Sequence, residues 1–93
     1  MEKECYIECE VRKGFFSDEL MVRFKILDHD GRESFVHAFV SESVVIREPE
    51  SGGRGKLKAT CIASEGDNVS VVLPQPTMES GPCVIIPAQY VTC

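Results

Sequence analysis

Residues 20–40, LMVRFKILDHDGRESFVHAFV, decide the fold because they predict two strands joined by a tight turn. In the first half, apolar side chains alternate with basic or longer ones, which is typical of a strand with one buried face. The apolar set is Leu20, Val22, Phe24 and Ile26. Asp28-His29-Asp30-Gly31 predicts the turn, since an Asp side chain caps a turn and Gly accepts the positive φ that closes it. A further strand is predicted over residues 33–40.

The rest of the chain repeats this two-residue period. Strands are predicted at about residues 5–12, 57–63, 69–73 and 83–86, with a short extension at 44–46. No window shows a helical period of 3.6 residues, and the two prolines after residue 73 should end their strand because proline cannot donate to a sheet ladder. Many short strands separated by turns predict an all-β fold. We expect a five- or six-stranded antiparallel barrel, because closure removes exposed strand edges.

Length, composition and charge narrow the class of protein. The chain has 93 residues, which predicts one domain over residues 1–93, and its 43% hydrophobic and 27% charged residues are typical of a soluble fold. The net charge of −5 argues against a general nucleic-acid binder. The longest uncharged stretch, residues 80–93, is shorter than the roughly 20 residues of a membrane span. We see no secretory leader, so we expect a cytoplasmic protein with reduced thiols.

The end of the sequence resembles the closing segment of SH3-like barrels. Ile85-Ile86-Pro87-Ala88-Gln89-Tyr90-Val91 contains a strand, a Pro-x-x-Tyr turn and a final Val, as in that family. Ser17-Asp18-Glu19 lies where SH3 domains have an acidic loop. The resemblance implies barrel topology. It does not imply binding of proline-rich peptides, because the SH3 peptide groove depends on a Trp and this chain has none.

Five cysteines and two histidines raise the question of a metal site. Cys5 and Cys9 are four residues apart on a predicted strand, which separates them by about 13 Å. Two thiolates on one zinc ion lie within about 4 Å of each other. We therefore expect no metal, no cofactor and, in the reduced protein, no disulfide. Cys5, Cys9, Cys61 and Cys83 are predicted to be small core residues, and Cys93 is predicted to be exposed.

The sequence contains no motif that points to catalysis. It has no Gly-x-Ser-x-Gly nucleophile motif and no paired carboxylates. The glycine-rich residues 51–55 lie in a predicted surface loop and precede a strand, so no helix N-terminus is present there to bind a phosphate. His37 is the only plausible general base, because His29 lies in the predicted turn. We expect no enzymatic activity and no catalytic residues.

The strand at residues 33–40 carries apolar side chains on both faces, so its register decides which face lies outside. A two-residue turn at Asp30-Gly31 would pair Phe24 with His37 and bury His37. A type I turn with a glycine bulge would instead pair Phe24 with Val36, and this one-residue slip exchanges the two faces. We favour the bulged turn, because Asp at its first position and Gly at its fourth are its signature.

In the bulged register, six residues form an aromatic and basic stripe on the outer face: Met21, Arg23, Lys25, Phe35, His37 and Phe39. Such a stripe suits a partner protein or a single-stranded nucleic acid. The opposing possibility is that the C-terminal segment or the loop at residues 48–55 folds over this face. The predicted function is a non-catalytic protein-interaction module, with a second copy of the chain as one candidate partner. The alternative is a nucleic-acid-binding barrel that uses Arg23, Lys25, Arg54, Lys56 and Lys58.

Overall fold

The computed structural model describes residues 2–48 and 52–93, so Pro49, Glu50 and Ser51 of the predicted loop lie outside the described residues. Strands dominate these ranges, and the short turns Glu42–Val44 and Ala88–Tyr90 are 3₁₀ helices. The strands are β1 (Lys3–Lys13), β2 (Glu19–Leu27), β3 (Glu33–Ser41), β4 (Val45–Arg47), β5 (Arg54–Glu65), β6 (Asn68–Thr77), β7 (Gly81–Pro87) and β8 (Val91–Thr92). The all-β prediction is confirmed.

Five of these strands close into an antiparallel barrel in the order β1-β2-β7-β6-β5 and back to β1. Closure depends on the length of β1. Its residues 3–10 pair with β5, and its last residues, 10–13, pair with β2. The remaining strands extend this barrel: β3 pairs with β2, β4 with β5 and β8 with β1. The small barrel predicted from the sequence is confirmed, and β3 lies outside the closed ring.

The core is formed by alternate residues of the strands, as the two-residue period predicts. The largest fully buried side chains are Phe24, Ile7, Leu57, Ile86, Val22, Val36, Val40 and Val71. Gly55 is required where β5 passes β4, because a Cβ atom there would lie 2.7 Å from the carbonyl oxygen of Ile46 and 2.9 Å from a methyl group of Val11. Apolar burial at about 25 cal/mol per Å² is the main force that holds such a barrel together.

The turn between β2 and β3 has the predicted bulged form. The Gly31 N–H donates to the Asp28 carbonyl (2.9 Å) and the Asp28 N–H donates to the Arg32 carbonyl (2.9 Å). The Asp28 side chain accepts from two backbone N–H groups of the turn, and Gly31 has a φ of 78°. Phe24 is therefore opposite Val36, and the even-numbered residues of β3 face the core.

Three details differ from the sequence predictions. The strand β6 continues through its prolines to Thr77, but its ladder with β7 is interrupted between Val72 and Thr77, since proline has no N–H to donate. Alternation along residues 57–63 predicts Ala63 on the same inward face as Cys61, but Ala63 is exposed, because a bulge in β5 between these two residues changes the side-chain alternation. The prediction that Cys83 is a core residue is wrong: both parities of β7 are apolar, and the structure turns the other set inward.

Candidate functional site

The six residues of the predicted stripe lie together on the outer face of β2 and β3. Three cross-strand pairs form this outer stripe: Met21 opposite Phe39, Arg23 opposite His37, and Lys25 opposite Phe35. All six side chains are partly accessible, whereas their strand neighbours, apart from the half-buried Ser34, are buried. The register that sequence reasoning favoured is thus the one that creates this surface.

At one end of the outer stripe, two cations flank an exposed ring. The Arg23 guanidinium carbon lies 3.5 Å from the centre of the Phe35 ring, and the Lys25 ammonium lies 5.3 Å from it. Lys25 also lies 5.6 Å from the ring of Tyr90. Both cations are within cation–π range of an aromatic face. Phe35 nevertheless remains 41% exposed, so part of its ring is available for contact.

Acidic neighbours hold these two cations in place. Arg23 donates to Glu10 at 3.1 Å, and Lys25 lies 3.8 Å from Glu33, which also accepts from the Tyr90 hydroxyl at 3.0 Å. These ion pairs are exposed and contribute little to stability, roughly 0–1 kcal/mol each. Either ion pair can therefore be broken at small cost.

The middle of the outer stripe is held by the turn between β6 and β7. The Glu79 carboxylate accepts from the His37 backbone N–H (2.8 Å) and lies 2.7 Å from His37 Nδ1. The Met78 N–H donates to the His37 carbonyl at 2.8 Å. Burial opposes ionisation of Glu79, but the hydrogen bonds and charge of His37 outweigh it and lower the pKa of Glu79. His37, the one base that the sequence offered, is thus engaged by a carboxylate.

A buried hydroxyl shapes that turn. Thr77 donates to the Gly81 carbonyl at 2.9 Å and accepts from the Ser80 N–H at 2.7 Å. Gly81 has a φ of 74°, a left-handed conformation that glycine adopts without strain. The turn therefore has a defined shape, which directs Glu79 toward β3. The sequence pattern does not reveal Glu79 as part of the site, because Glu79 and His37 are 42 positions apart in the chain.

At the other end of the outer stripe, the loop between β1 and β2 presents two phenylalanines. The ring of Phe15 lies 5.3 Å from that of Phe39, and Phe15 and Phe16 are 85% and 69% exposed. The loop is fixed by Glu19, whose side chain accepts from the Phe15 N–H (2.9 Å) and whose N–H donates to the Phe16 carbonyl (3.1 Å). The sequence signal for this feature is the adjacent pair of phenylalanines in a loop.

A cleft of about 290 Å³ opens beside the cationic end of the stripe. Tyr90 reaches it from the 3₁₀ turn before β8, and sequence reasoning did not include Tyr90 in the site. The cleft is lined by Glu8, Cys9, Glu10, Arg23, Phe24, Lys25, Phe35, Glu48, Arg54, Gly55 and Tyr90. A larger depression of about 510 Å³ lies elsewhere and has no aromatic ring in its lining. The aromatic cleft is the better candidate for specific contact.

The basic residues of β5 face glutamates of β1. Lys56 is opposite Glu8, and Lys58 forms an ion pair with Glu4 at 3.0 Å. The hydrogen bond and charge of Lys58 lower the pKa of Glu4, and the same contact raises the pKa of Lys58. Arg54 is likewise opposite Glu10. This surface is therefore close to neutral, so it attracts a phosphate backbone weakly.

The thiols of the five cysteines are all free. Burial raises the pKa of Cys9 to about 12, with a smaller contribution from the Glu48 carboxylate, so its thiol stays protonated. Cys93 is exposed, as predicted, and Cys83 is exposed as well. Within residues 2–48 and 52–93, no three His, Cys, Asp or Glu side chains are arranged to bind a metal ion.

Comparison with known proteins finds no matching family model, no matching curated protein and no matching solved structure. The fold defines the chain as a small, closed, all-β barrel with extra strands. In the part of the chain that the structure describes, no helix is long and apolar enough to cross a membrane.

Proposed function

We propose that this protein is a non-catalytic protein-interaction module that binds a partner protein across the outer stripe. We further propose that its barrel is SH3-like. The support for the second point is the 3₁₀ turn Ala88–Tyr90, which follows Pro87 and leads into β8 beside β1. Tyr90 of that turn lines the cleft next to the stripe. Without a Trp, we expect this cleft to take a ligand other than a proline-rich peptide.

The distribution of exposed apolar side chains carries this proposal. Of the seven large hydrophobic side chains that are exposed among the described residues, four lie on the outer stripe or beside it: Phe15, Phe16, Phe35 and Met78. Exposed apolar groups scattered singly are normal, whereas a concentrated set marks an interaction surface. Phe15 and Phe16 belong to a loop that is held by specific hydrogen bonds, so their exposure is part of an ordered loop structure.

The chemistry of the stripe suggests what the partner offers. From Met21 to Lys25 the stripe is about 13 Å long, the length of four strand residues. Its Phe15 and Phe39 end suits an apolar side chain, and its Arg23 and Lys25 end suits a carboxylate placed near the Phe35 ring. An extended segment of about five residues with an apolar group at one end and an acidic group at the other would satisfy both.

The test is capture of a partner by purified protein from a lysate of the source organism, followed by titration with the purified partner. The double variant Phe35→Ser, Phe39→Ser is expected to stay folded and to lose at least about tenfold in affinity, since aromatic anchors dominate interfaces. The double variant Ile46→Ser, Ile62→Ser removes two exposed apolar side chains on β4 and β5, away from β2 and β3, and serves as the matched control. Light scattering measures whether the partner is a second copy of the chain.

The salt dependence of binding separates the two functional classes. A protein partner is expected to lose less than about tenfold between roughly 50 and 200 mM salt, whereas 6–10 phosphate contacts would cost about 10³–10⁵. Loss of capture after nuclease treatment would favour the nucleic-acid alternative. Equal loss of affinity in both double variants would contradict the proposed binding surface.

A further inference from the structure

Three thiols converge where β8 pairs with β1. The pairing sets Thr92 opposite Tyr6, and the same register one residue further along sets Cys93 opposite Cys5. On the other edge of β1, β5 brings Cys61 diagonally across from Cys5. The Cys93 and Cys61 thiols both contribute to the raised pKa of Cys5, which is consistent with this convergence. None of these three thiols belongs to the outer stripe proposed to bind a partner.

We propose that Cys5 and Cys93 form a reversible intramolecular disulfide that ties β8 to β1. Directly opposite residues of antiparallel strands have Cα atoms about 4.5–5.5 Å apart, inside the span of about 4.4–6.8 Å that disulfides bridge. Cys93 is exposed and can meet an oxidant, whereas Cys61 is buried beside β1. The pair therefore has one accessible thiol and one protected thiol that lies opposite it. This proposal does not depend on the proposed function.

The oxidant is a low-molecular-weight disulfide, for which oxidised glutathione is the probe. The Cys93 thiolate attacks one of its sulfurs, so a mixed disulfide forms and one glutathione thiolate leaves. The Cys5 thiolate then attacks the Cys93 sulfur, the Cys5–Cys93 bond forms, and the second glutathione thiolate leaves. Two cysteine thiols are oxidised and one disulfide is reduced. The two protons that the cysteines lose are taken up by the two glutathione thiolates.

The second step is expected to be slow at neutral pH. In the reduced protein, burial, followed by the neighbouring Cys93 and Cys61 thiols and then the Glu4 carboxylate, raises the pKa of Cys5 to about 11. Burial, the largest of these causes, still acts on Cys5 in the mixed disulfide. Only the thiolate is a nucleophile, so ring closure from the accumulated mixed disulfide should accelerate about tenfold per pH unit between about pH 7 and 9.

The experiment uses the full chain with Cys83→Ser as the reference, because this change removes the other exposed thiol. Cys5→Ser, Cys61→Ser and Cys93→Ser are each added to that reference. Each protein is treated with oxidised glutathione, and its free thiols and intact mass are measured under denaturing conditions. The reference and the Cys61→Ser variant are expected to lose two thiols and two hydrogen atoms of mass. The Cys5→Ser and Cys93→Ser variants are expected to form no internal disulfide.

Several results would overturn the proposal: a glutathione adduct on Cys93 that does not close to an internal disulfide even at about pH 9, a covalent dimer as the main product, or an internal disulfide that survives Cys5→Ser. A second measurement covers variants that fold poorly. The oxidised reference is expected to melt higher than its reduced form, by on the order of 5–10 °C, since the bond restricts the unfolded chain. An equal or lower melting temperature would show that the bond does not fit the native pairing of β1 and β8.

Discussion

Neighbouring residues on β3 provide the sharpest test of which face of this strand lies inside. Val36 is 1% exposed and Phe35 is 41% exposed, although Phe is the larger side chain. We expect Val36→Ser to destabilise the protein much more than Phe35→Ser. A rule based on side-chain size alone predicts the reverse order, and so does the alternative register with a two-residue turn.

The magnitudes follow from burial. Removing a fully buried Val side chain costs about 1.5–3 kcal/mol, and a buried hydroxyl without a partner costs about 1–3 kcal/mol more. Val36→Ser is therefore expected to cost about 3–5 kcal/mol. Phe35→Ser loses a partly exposed ring and its contact with Arg23, about 1–2 kcal/mol together. The free energy of unfolding of a 93-residue domain is roughly 5–14 kcal/mol in total, so both variants should fold at low temperature.

Urea unfolding followed by far-UV circular dichroism measures the difference. The free energy of unfolding falls with urea concentration by about 1–2 kcal/mol per M. Val36→Ser should therefore lower the urea concentration at the unfolding midpoint by about 2–3 M, and Phe35→Ser by about 1 M. Equal slopes for the variants and the parent protein are the control that the two-state comparison is valid. If Phe35→Ser has the lower midpoint, the inward and outward faces of β3 are reversed and the outer stripe does not exist.

Further predictions concern packing, thiols and pH. Gly55→Ala is expected to lower the free energy of unfolding by about 1–3 kcal/mol, because the new Cβ would lie 2.7 Å from the β4 backbone. Gly53→Ala is the control: its nearest contact would be 3.4 Å, and it should change stability by less than about 1 kcal/mol. Equal urea midpoints for the two variants would contradict this prediction. Cys61→Ser should lower the free energy of unfolding by about 1–3 kcal/mol and Cys83→Ser by less than about 0.5 kcal/mol, because only Cys61 is buried. Similar decreases for the two variants in urea unfolding would refute the inward orientation of Cys61. Because the pKa of Glu79 is lower in the folded protein than in the unfolded chain, its ionised carboxylate stabilises the fold at pH values above the pKa of the unfolded chain. This stabilisation is lost as the pH falls through the pKa of the folded protein. Thermal unfolding should therefore show the parent more stable than Glu79→Gln at pH 7, with the difference shrinking in acid, and a difference that grows in acid would contradict the ion pair.

The local pattern of the sequence was sufficient to predict most of the fold. Alternation along residues 20–26 identified β2 and its inward face, and the Asp and Gly at the two ends of the 28–31 turn identified the bulged turn that sets the register of β3. This succeeds because side-chain alternation and turn chemistry act between residues that are near in sequence. The same logic fails for β7, where both faces are apolar, and Cys83 was assigned to the wrong one.

The sequence by itself therefore determined that the chain is all-β, where most strands run, and which six residues share the outer face of β2 and β3. Only the tertiary structure decided what lies around that face: Glu79 against His37, the ring of Phe15 beside Phe39, and Tyr90 beside Lys25. These contacts join residues far apart in the chain. They exist because barrel closure brings distant loops to one surface, and no period in the sequence records which loops will meet.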